Sequence, residues 1–278
     1  MPELPEAETI ARGLDGLVRG RRLLAARCLT KGICERSAAY PVGARVAAVA
    51  RRGKKVLVHF DDGTTLLVSL GMSGQLRRRP AAPLPKHTHL ILKLGGFDLI
   101  YVDARRLGRL TRSRVATTML APAVEVAAWC EARLGPDALE VSWREFRERV
   151  GGRRGAFKSV LLNQRIIAGI GNIYADEVLH RAGIHPKARP AALSRDELRR
   201  VHRATKVVLN KAIKACGTSF RDYVTPTGAS GDFGYYLAVH GREGCRDCGT
   251  EVVRLRSWPG KGSSTYYCPR CQPRRDSK

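Results

Sequence analysis

Val56-Leu57-Val58-His59-Phe60 and Thr65-Leu66-Leu67-Val68-Ser69-Leu70 flank Asp61-Asp62-Gly63-Thr64. Two runs rich in apolar and β-branched residues on either side of an Asp/Gly turn are the pattern of a β-hairpin. A second pair follows, Leu90-Ile91-Leu92-Lys93-Leu94 and Phe97-Asp98-Leu99-Ile100-Tyr101-Val102, joined through Gly95-Gly96. Short strands in series from about Arg45 to Leu110 predict a β-sandwich. Outward from it the pattern changes. Before it, Ile10, Leu14, Leu17 and Val18 recur at helical spacing, with Pro5, Glu6 and Glu8 in the first turns and Gly20 as a stop. After about Val115 the reading is helical. Val160 to Ile167 is apolar on one side, Gly169-Ile170-Gly171-Asn172 breaks the pattern, and a helix is expected from about Ile173 to Ala182, stopped by Gly183. Ser194-x-x-Glu197 is a capping box that opens a long amphipathic helix through Ile213.

The chain has 278 residues, 44% of them hydrophobic and 27% charged, enough apolar material for a core and too much for a mostly disordered chain. Fifty Lys+Arg against 25 Asp+Glu give a formal net charge of +25. That excess points to a polyanion, nucleic acid first, because neutralising phosphates takes many basic side chains. No run of eighteen apolar residues suggests a membrane span, and the acidic start has no apolar segment of a secretory signal. The expected compartment is the reducing cytoplasm.

Four of the eight cysteines, Cys28, Cys34, Cys130 and Cys216, are scattered singly, which argues against disulfides. The other four form Cys245-x-x-Cys248 and Cys268-x-x-Cys271 with nineteen residues between the pairs. Two thiolate pairs brought together by a hairpin suit one tetrahedral zinc ion, closed and therefore structural. Reduced thiols or an iron–sulfur cluster are the competing uses.

The N-terminus offers a second chemistry. Removal of Met1 exposes Pro2 as a secondary amine, and an α-amino group titrates near about pH 8. Its neutral form is a nucleophile able to form a Schiff base on a sugar carbon, with Glu3 beside it to move protons. The bland alternative is a helix lead-in. Gly169, Gly171 and Asn172 before a helix N-terminus suit a phosphate, while Asp176 and Glu177 would only complement the helix dipole.

Met1-Pro2-Glu3-Leu4-Pro5-Glu6-Ala7-Glu8-Thr9 resembles the start of the bacterial formamidopyrimidine-DNA glycosylases. So do Arg52-Gly53-Lys54, Leu70-Gly71-Met72-Ser73-Gly74, Lys86-His87-Thr88-His89, Asp103-Ala104-Arg105-Arg106, Gly169 to Glu177 and the terminal cysteine pairs, in the family's order over nearly the whole chain. The resemblance implies an α+β protein with three parts: an N-terminal helix and β-sandwich catalytic domain over 1–130, a helix–two-turn–helix domain over 131–240, and a zinc-finger hairpin over 241–278. It implies an enzyme that excises oxidised purines, 8-oxoguanine and formamidopyrimidines, from duplex DNA through Pro2 and then cleaves the strand by β- and δ-elimination; a monomer is the default expectation. Glu3 would be the acid–base group, Lys54 a charged helper and Glu6 a group shaping the lesion pocket. Extruding a stacked base leaves a hole, and Met72 would fill it together with Arg105 and Leu107. His89, Arg105 and Asn172 would hold DNA phosphates, and Thr218–Tyr236 would sense the lesion.

Two positions depart from the family pattern. Leu107 stands where the family has Phe, and Ser263 where a finger arginine grips the phosphate, with Lys261 the nearby substitute. These departures keep two alternatives open: a weakly catalytic paralogue that binds abasic or distorted DNA, and an endonuclease VIII-like glycosylase for oxidised pyrimidines.

Overall fold

The computed structural model describes residues 2–35, 37–81, 83–114, 133–219, 223–256 and 264–274. Lys261, Ser263 and Cys130 lie outside the described residues, as does the stretch 220–222 of the expected lesion-sensing segment. The chain divides into two compact units. The first comprises 1–133 together with 215–232, and the second 134–214 together with 233–278.

The first unit opens with helix α1 (Leu4–Val18). Its Leu4, Ala7, Ile10, Ala11, Leu14 and Val18 are buried, the stripe expected from helical periodicity. Gly20 takes φ +76° and the chain enters the strands. Two antiparallel four-stranded sheets follow. One has the order β1 (Leu23–Cys28), β6 (Thr88–Leu94), β7 (Phe97–Val102), β5 (Gln75–Arg78). The other has the order β2 (Val46–Arg52), β3 (Lys55–Phe60), β4 (Thr64–Ser69), β8 (Arg109–Arg114). Both predicted hairpins are present, Val58 opposite Leu66 in β3/β4 and Lys93 opposite Asp98 in β6/β7. Leu90, Leu92, Leu94, Leu99 and Tyr101 of one sheet and Val56, Val58, Phe60, Leu66, Val68 and Leu110 of the other share one apolar core, which makes this a sandwich. Alternation explains the sorting: Leu90, Leu92 and Leu94 are buried while Lys93 between them is exposed.

The second unit holds α2 (Trp143–Val150), α3 (Phe157–Leu162), α4 (Asn172–Ala182) and α5 (Arg195–Lys214), then a ribbon of β9 (Val253–Leu255) and β10 (Thr265–Tyr267). Gly183 ends α4 with φ +68°. The capping box of α5 forms as read: the Glu197 amide donates to Ser194 Oγ at 3.2 Å and the Ser194 amide to Glu197 Oε2 at 2.8 Å. Among the described residues no helix is long and apolar enough to cross a membrane.

The cysteine reading needs one correction. Cys28 and Cys34 are joined by a disulfide. The intervening loop turns back on itself, the Ile33 amide donating to Thr30 O at 3.3 Å, so residues six apart in sequence come face to face. Scatter along the sequence missed this because the turn is tertiary. Cys216 is an exposed free thiol. Closing so short a loop limits the unfolded chain by about 2 kcal/mol. The double substitution C28S/C34S should therefore lower stability by that amount in chemical denaturation under oxidising conditions. Reductant should shift the unsubstituted protein toward the double variant and leave the variant unmoved.

Candidate functional site

In the first unit the N-terminus is held rather than loose. Pro2 is buried, and Glu3 and Glu6 are each only 1% exposed. Glu3 is the N-cap of α1 in extended backbone, and its amide donates to Glu6 Oε2 at 2.7 Å. The other oxygen of Glu6 accepts the Thr218 amide at 2.8 Å, so one carboxylate joins the helix cap to the start of the 218–232 segment. Gly217 beside it takes φ +83°, and a Cβ there would lie 2.8 Å from Glu6 Oε1. Glycine is what the carboxylate's position allows.

Lys54 sits on the β2–β3 turn and is half-buried. That turn is tied to α1 through Arg51, whose side chain is 4% exposed. Its Nε donates to Glu8 Oε2 at 2.6 Å, and the same guanidinium donates to Gly53 O at 2.9 Å. Burial pushes the Glu8 carboxyl up, but the hydrogen bonds and charges of Arg51 and Arg12 outweigh it and the group ends below the usual carboxylate range. Glu8 lies in the N-terminal motif and Arg51 beside the Arg52-Gly53-Lys54 motif. Reading the motifs alone did not link them, because their partnership spans 43 residues.

Met72 and Leu107 are exposed apolar side chains, 40% and 55%. Gly71 takes φ +63°, and a Cβ there would meet the backbone of Leu107 and Gly108 at 2.7 Å, so the two loops are backed against each other. A buried carboxylate organises both. Asp103 is fully buried; Oδ1 accepts Ser73 Oγ at 2.5 Å and the Arg105 amide at 3.2 Å, and Oδ2 accepts the Gly108 amide at 2.7 Å. Arg105 itself is exposed. Asp103 stood in a quoted motif without a role, and its partners, which also include the Tyr101 hydroxyl donating to Oδ2 at 3.4 Å, reveal one: it sets the shape of the loop that carries Arg105 and Leu107.

His89 needs a correction. It is 1% exposed, with Nδ1 against Thr30 Oγ1 and Nε2 against Asp103 O, both at 2.8 Å. A ring with both nitrogens engaged internally is not presented to a phosphate. It is a brace between the disulfide-closed loop and the Asp103 turn. The histidine on the surface is His87, exposed and at φ +64°. Strict alternation would put His89 on the opposite face from the buried Leu90; the register of β6 against β7 shifts between Thr88 and Leu90, and Thr88, His89 and Leu90 are all enclosed, whereas His87 precedes the strand.

In the second unit the loop before α4 is built by Gln164. Its Oε1 accepts the Gly169 amide at 2.9 Å and its Nε2 donates to Ile170 O at 2.7 Å. Gly171 is the N-cap of α4, and Asn172 opens the helix with its Oδ1 making no hydrogen bond. The helix amides and Asn172 are a ready anion site. The expectation that Asp176 and Glu177 serve only the helix dipole is wrong. Both are buried. Asp176 pairs with the fully buried Lys158 at 2.7 Å and accepts from the Tyr266 amide at 3.1 Å, with His240 Nδ1 at 2.8 Å. Glu177 accepts the backbone amides of Ala238, Val239 and His240 at 2.7–3.0 Å. The pair fastens the cysteine ribbon to α4.

Cys245, Cys248, Cys268 and Cys271 place their sulfurs within 4.8 Å of one another, an arrangement that could hold a metal ion. Neighbouring sulfurs lie 3.5–3.9 Å apart. Hydrogen bonding with Thr250 lowers the Cys248 thiol to about 6, while burial first pushes the Cys245 and Cys271 thiols up, so the cluster does not favour thiolates uniformly.

Residues 1–110 match the family model of the formamidopyrimidine-DNA glycosylase N-terminal domain, and 134–224 that of the formamidopyrimidine-DNA glycosylase H2TH domain. A formamidopyrimidine-DNA glycosylase of Desulfitobacterium hafniense is 39% identical, covering 98% of this chain and 100% of its own. Among solved structures, the MutM (FPG) protein of Thermus thermophilus superposes with a TM-score of 0.86 at 36% identity, covering 99% of this chain and 100% of its own. A Lactococcus lactis FPG mutant bound to DNA containing Fapy-dG has a TM-score of 0.87 at 30% identity, with 98% and 100% covered.

The Glu8–Arg51 pair generates a pH signature. Because the folded carboxyl titrates below its unfolded value, its stabilisation is fully present above the unfolded pKa and fades as pH falls through the folded one. Glu8→Gln should cost on the order of 1–3 kcal/mol at pH 7. In denaturant titrations at a series of pH values, the gap between variant and parent should close as the solution is acidified below pH ~4.5.

Proposed function

The chain belongs to the formamidopyrimidine-DNA glycosylase family and acts as a DNA glycosylase on damaged DNA, and from that premise we propose that Pro2 is its nucleophile and oxidised purines are its substrates. The observation that carries the reading is the buried N-terminal Pro2 followed by two buried carboxylates, Glu3 and Glu6. With Met1 removed, the Pro2 nitrogen attacks C1′ of the damaged nucleotide. The bond from C1′ to the base breaks, the base leaves with a proton, and the amine loses its own proton as the sugar ring opens to an iminium. Loss of a C2′ proton then expels the 3′-phosphate, and a second elimination expels the 5′-phosphate. Glu3 would carry protons for the ring opening; its position next to Pro2 in the sequence and its burial support that role, since a carboxylate held dry beside an amine suits the exchange. Lys54 supplies positive charge at the reacting sugar and its phosphate.

Met72, Leu107 and Arg105 are proposed to fill the gap left by the extruded base. Exposed apolar tips on loops braced by Asp103 support that role. His87, Asn172 and Lys261 are proposed to meet phosphates, His87 in place of His89 because its side chain is the accessible one. The four cysteines would hold one structural Zn2+. Their sulfur separations match the roughly 3.8 Å edge of a tetrahedron with ~2.3 Å zinc–sulfur bonds. The ion would supply a rigid corner and no chemistry. We read the protein as a monomer working on duplex DNA in the cytoplasm, with 1–130, 131–240 and 241–278 as its catalytic, helical and finger segments. Leu107 and Ser263 favour a shifted lesion or opposite-base preference over the family's usual one.

Borohydride reduction tests the nucleophile. The protein should become covalently linked to duplexes bearing 8-oxoguanine or an abasic site. A Pro2→Gly chain keeps a terminal amine and should trap weakly, whereas a chain retaining Met1 should not trap at all. Equal nicking by the Met1-bearing chain would remove Pro2 from the mechanism. A panel adding oxidised pyrimidines separates the endonuclease VIII-like reading, and binding without trapping on any lesion selects the non-catalytic one. Chelation of the metal should weaken DNA binding before it unfolds the sandwich, followed by fluorescence anisotropy and circular dichroism together.

A further inference from the structure

A cavity of about 130 Å³ lies in the second unit, and none of the residues lining it takes part in the proposed chemistry. The connector after α4 lines it with His185 and Lys187, the ribbon with Leu255 and Tyr267, and the chain after the last cysteine with Gln272 and Arg274. No carboxylate is among the described residues that line it. Lys187 and Arg274 are exposed, and neither makes an ion pair among the described residues. Two cations on the rim of one hollow, with no carboxylate among its described lining, give it a positive potential that draws anions.

His185 gives the hollow a direction. It is more than nine-tenths buried, and its Nδ1 accepts the Lys187 amide at 3.1 Å. A neutral imidazole that accepts at Nδ1 carries its proton on Nε2 and is a donor there. Burial first, then the charges of Arg274 and Lys187, lower its pKa, which keeps this tautomer at neutral pH. The ring is packed edge-on against Tyr267, centroids 4.6 Å apart, which holds it in place. The floor is fixed as well: Gln272 accepts the Cys268 amide at 3.0 Å and donates to Ile184 O at 2.8 Å, both its polar ends committed. Among the side chains that line it, His185, Lys187 and Arg274 offer donors to a ligand. The hollow exceeds several-fold the about 10–15 Å³ that a single water needs on this measure, room for a tetrahedral oxyanion.

We propose that this cavity is an anion subsite that binds a phosphate group, held by His185, Lys187 and Arg274. The phosphate could belong to a DNA backbone outside the lesion or to a small phosphate in solution, and the chemistry of capture is the same. The proposal does not rest on Pro2 chemistry. The test uses the full-length, metal-loaded protein. Inorganic phosphate is titrated at constant ionic strength while the His185 ring resonances are followed by NMR. A saturable shift in the millimolar range is expected, weakened at least fivefold in Lys187→Ala/Arg274→Ala, with metal content and excision on a short lesion duplex unchanged. In parallel, the salt dependence of binding to a long undamaged duplex is measured for both proteins. A slope smaller by about 1 in the double variant identifies a backbone phosphate as the ligand. An unchanged slope with the NMR shift intact identifies a free phosphate. A non-saturating His185 response, or one the double substitution leaves alone, overturns the proposal.

Discussion

Chain termini are the least ordered part of most proteins, yet a terminal amine can react only if it is held in place. The constraint on which this site depends is therefore the burial of the first helix. Ile10, Leu14 and Val18, each with no exposed surface, commit α1 to the sandwich core, and each such side chain is worth about 2–3 kcal/mol on burial. The helix then carries Glu3 and Glu6 with it. Glu6 closes the arrangement by accepting one amide from its own cap and one from Thr218. A carboxylate with two backbone donors is satisfied where a lone buried charge would be expelled.

In the second unit, too, buried carboxylates on a helix hold an otherwise weak segment. Two acids at adjacent positions on α4 serve different partners. Asp176 satisfies a fully buried lysine and a ribbon amide, and Glu177 takes three consecutive amides before the first cysteine. A short ribbon of two three-residue strands has little core of its own: among the described residues its buried cluster is Val239, Val252, Cys245 and Cys268, with Cys248, Tyr266 and Cys271 packed against it. So small a unit gains from an external anchor, beside four cysteines that could hold a metal ion. These acids are the anchor, a role that their position near a helix N-terminus does not announce.

The same lesson holds for the histidines and cysteines of the first unit. The Lys86-His87-Thr88-His89 motif presents two histidines, and only strand register says which is buried. His89 spends both nitrogens on Thr30 and Asp103, and Thr30 is itself held inside the Cys28–Cys34 loop. Surface loops that carry Arg105 and Met72 are thus shaped from beneath by residues with almost no contact to solvent.

Sequence periodicity determined the local elements. Both hairpins, α1, α4, α5 and their stops were legible because alternation, 3.6-residue spacing, glycine at positive φ and the Ser194–Glu197 box are local physics. The paired cysteines announced a cluster that could hold a metal ion, because two close thiols on each knuckle are encoded within four residues. Tertiary structure alone decided the Glu6–Thr218 link across 212 residues, the Arg51–Glu8 tie, the Asp103 hub, the disulfide and the inward turn of His89. Each of these joins groups whose separation along the chain carries no period, so only the packing that desolvates them gives them partners.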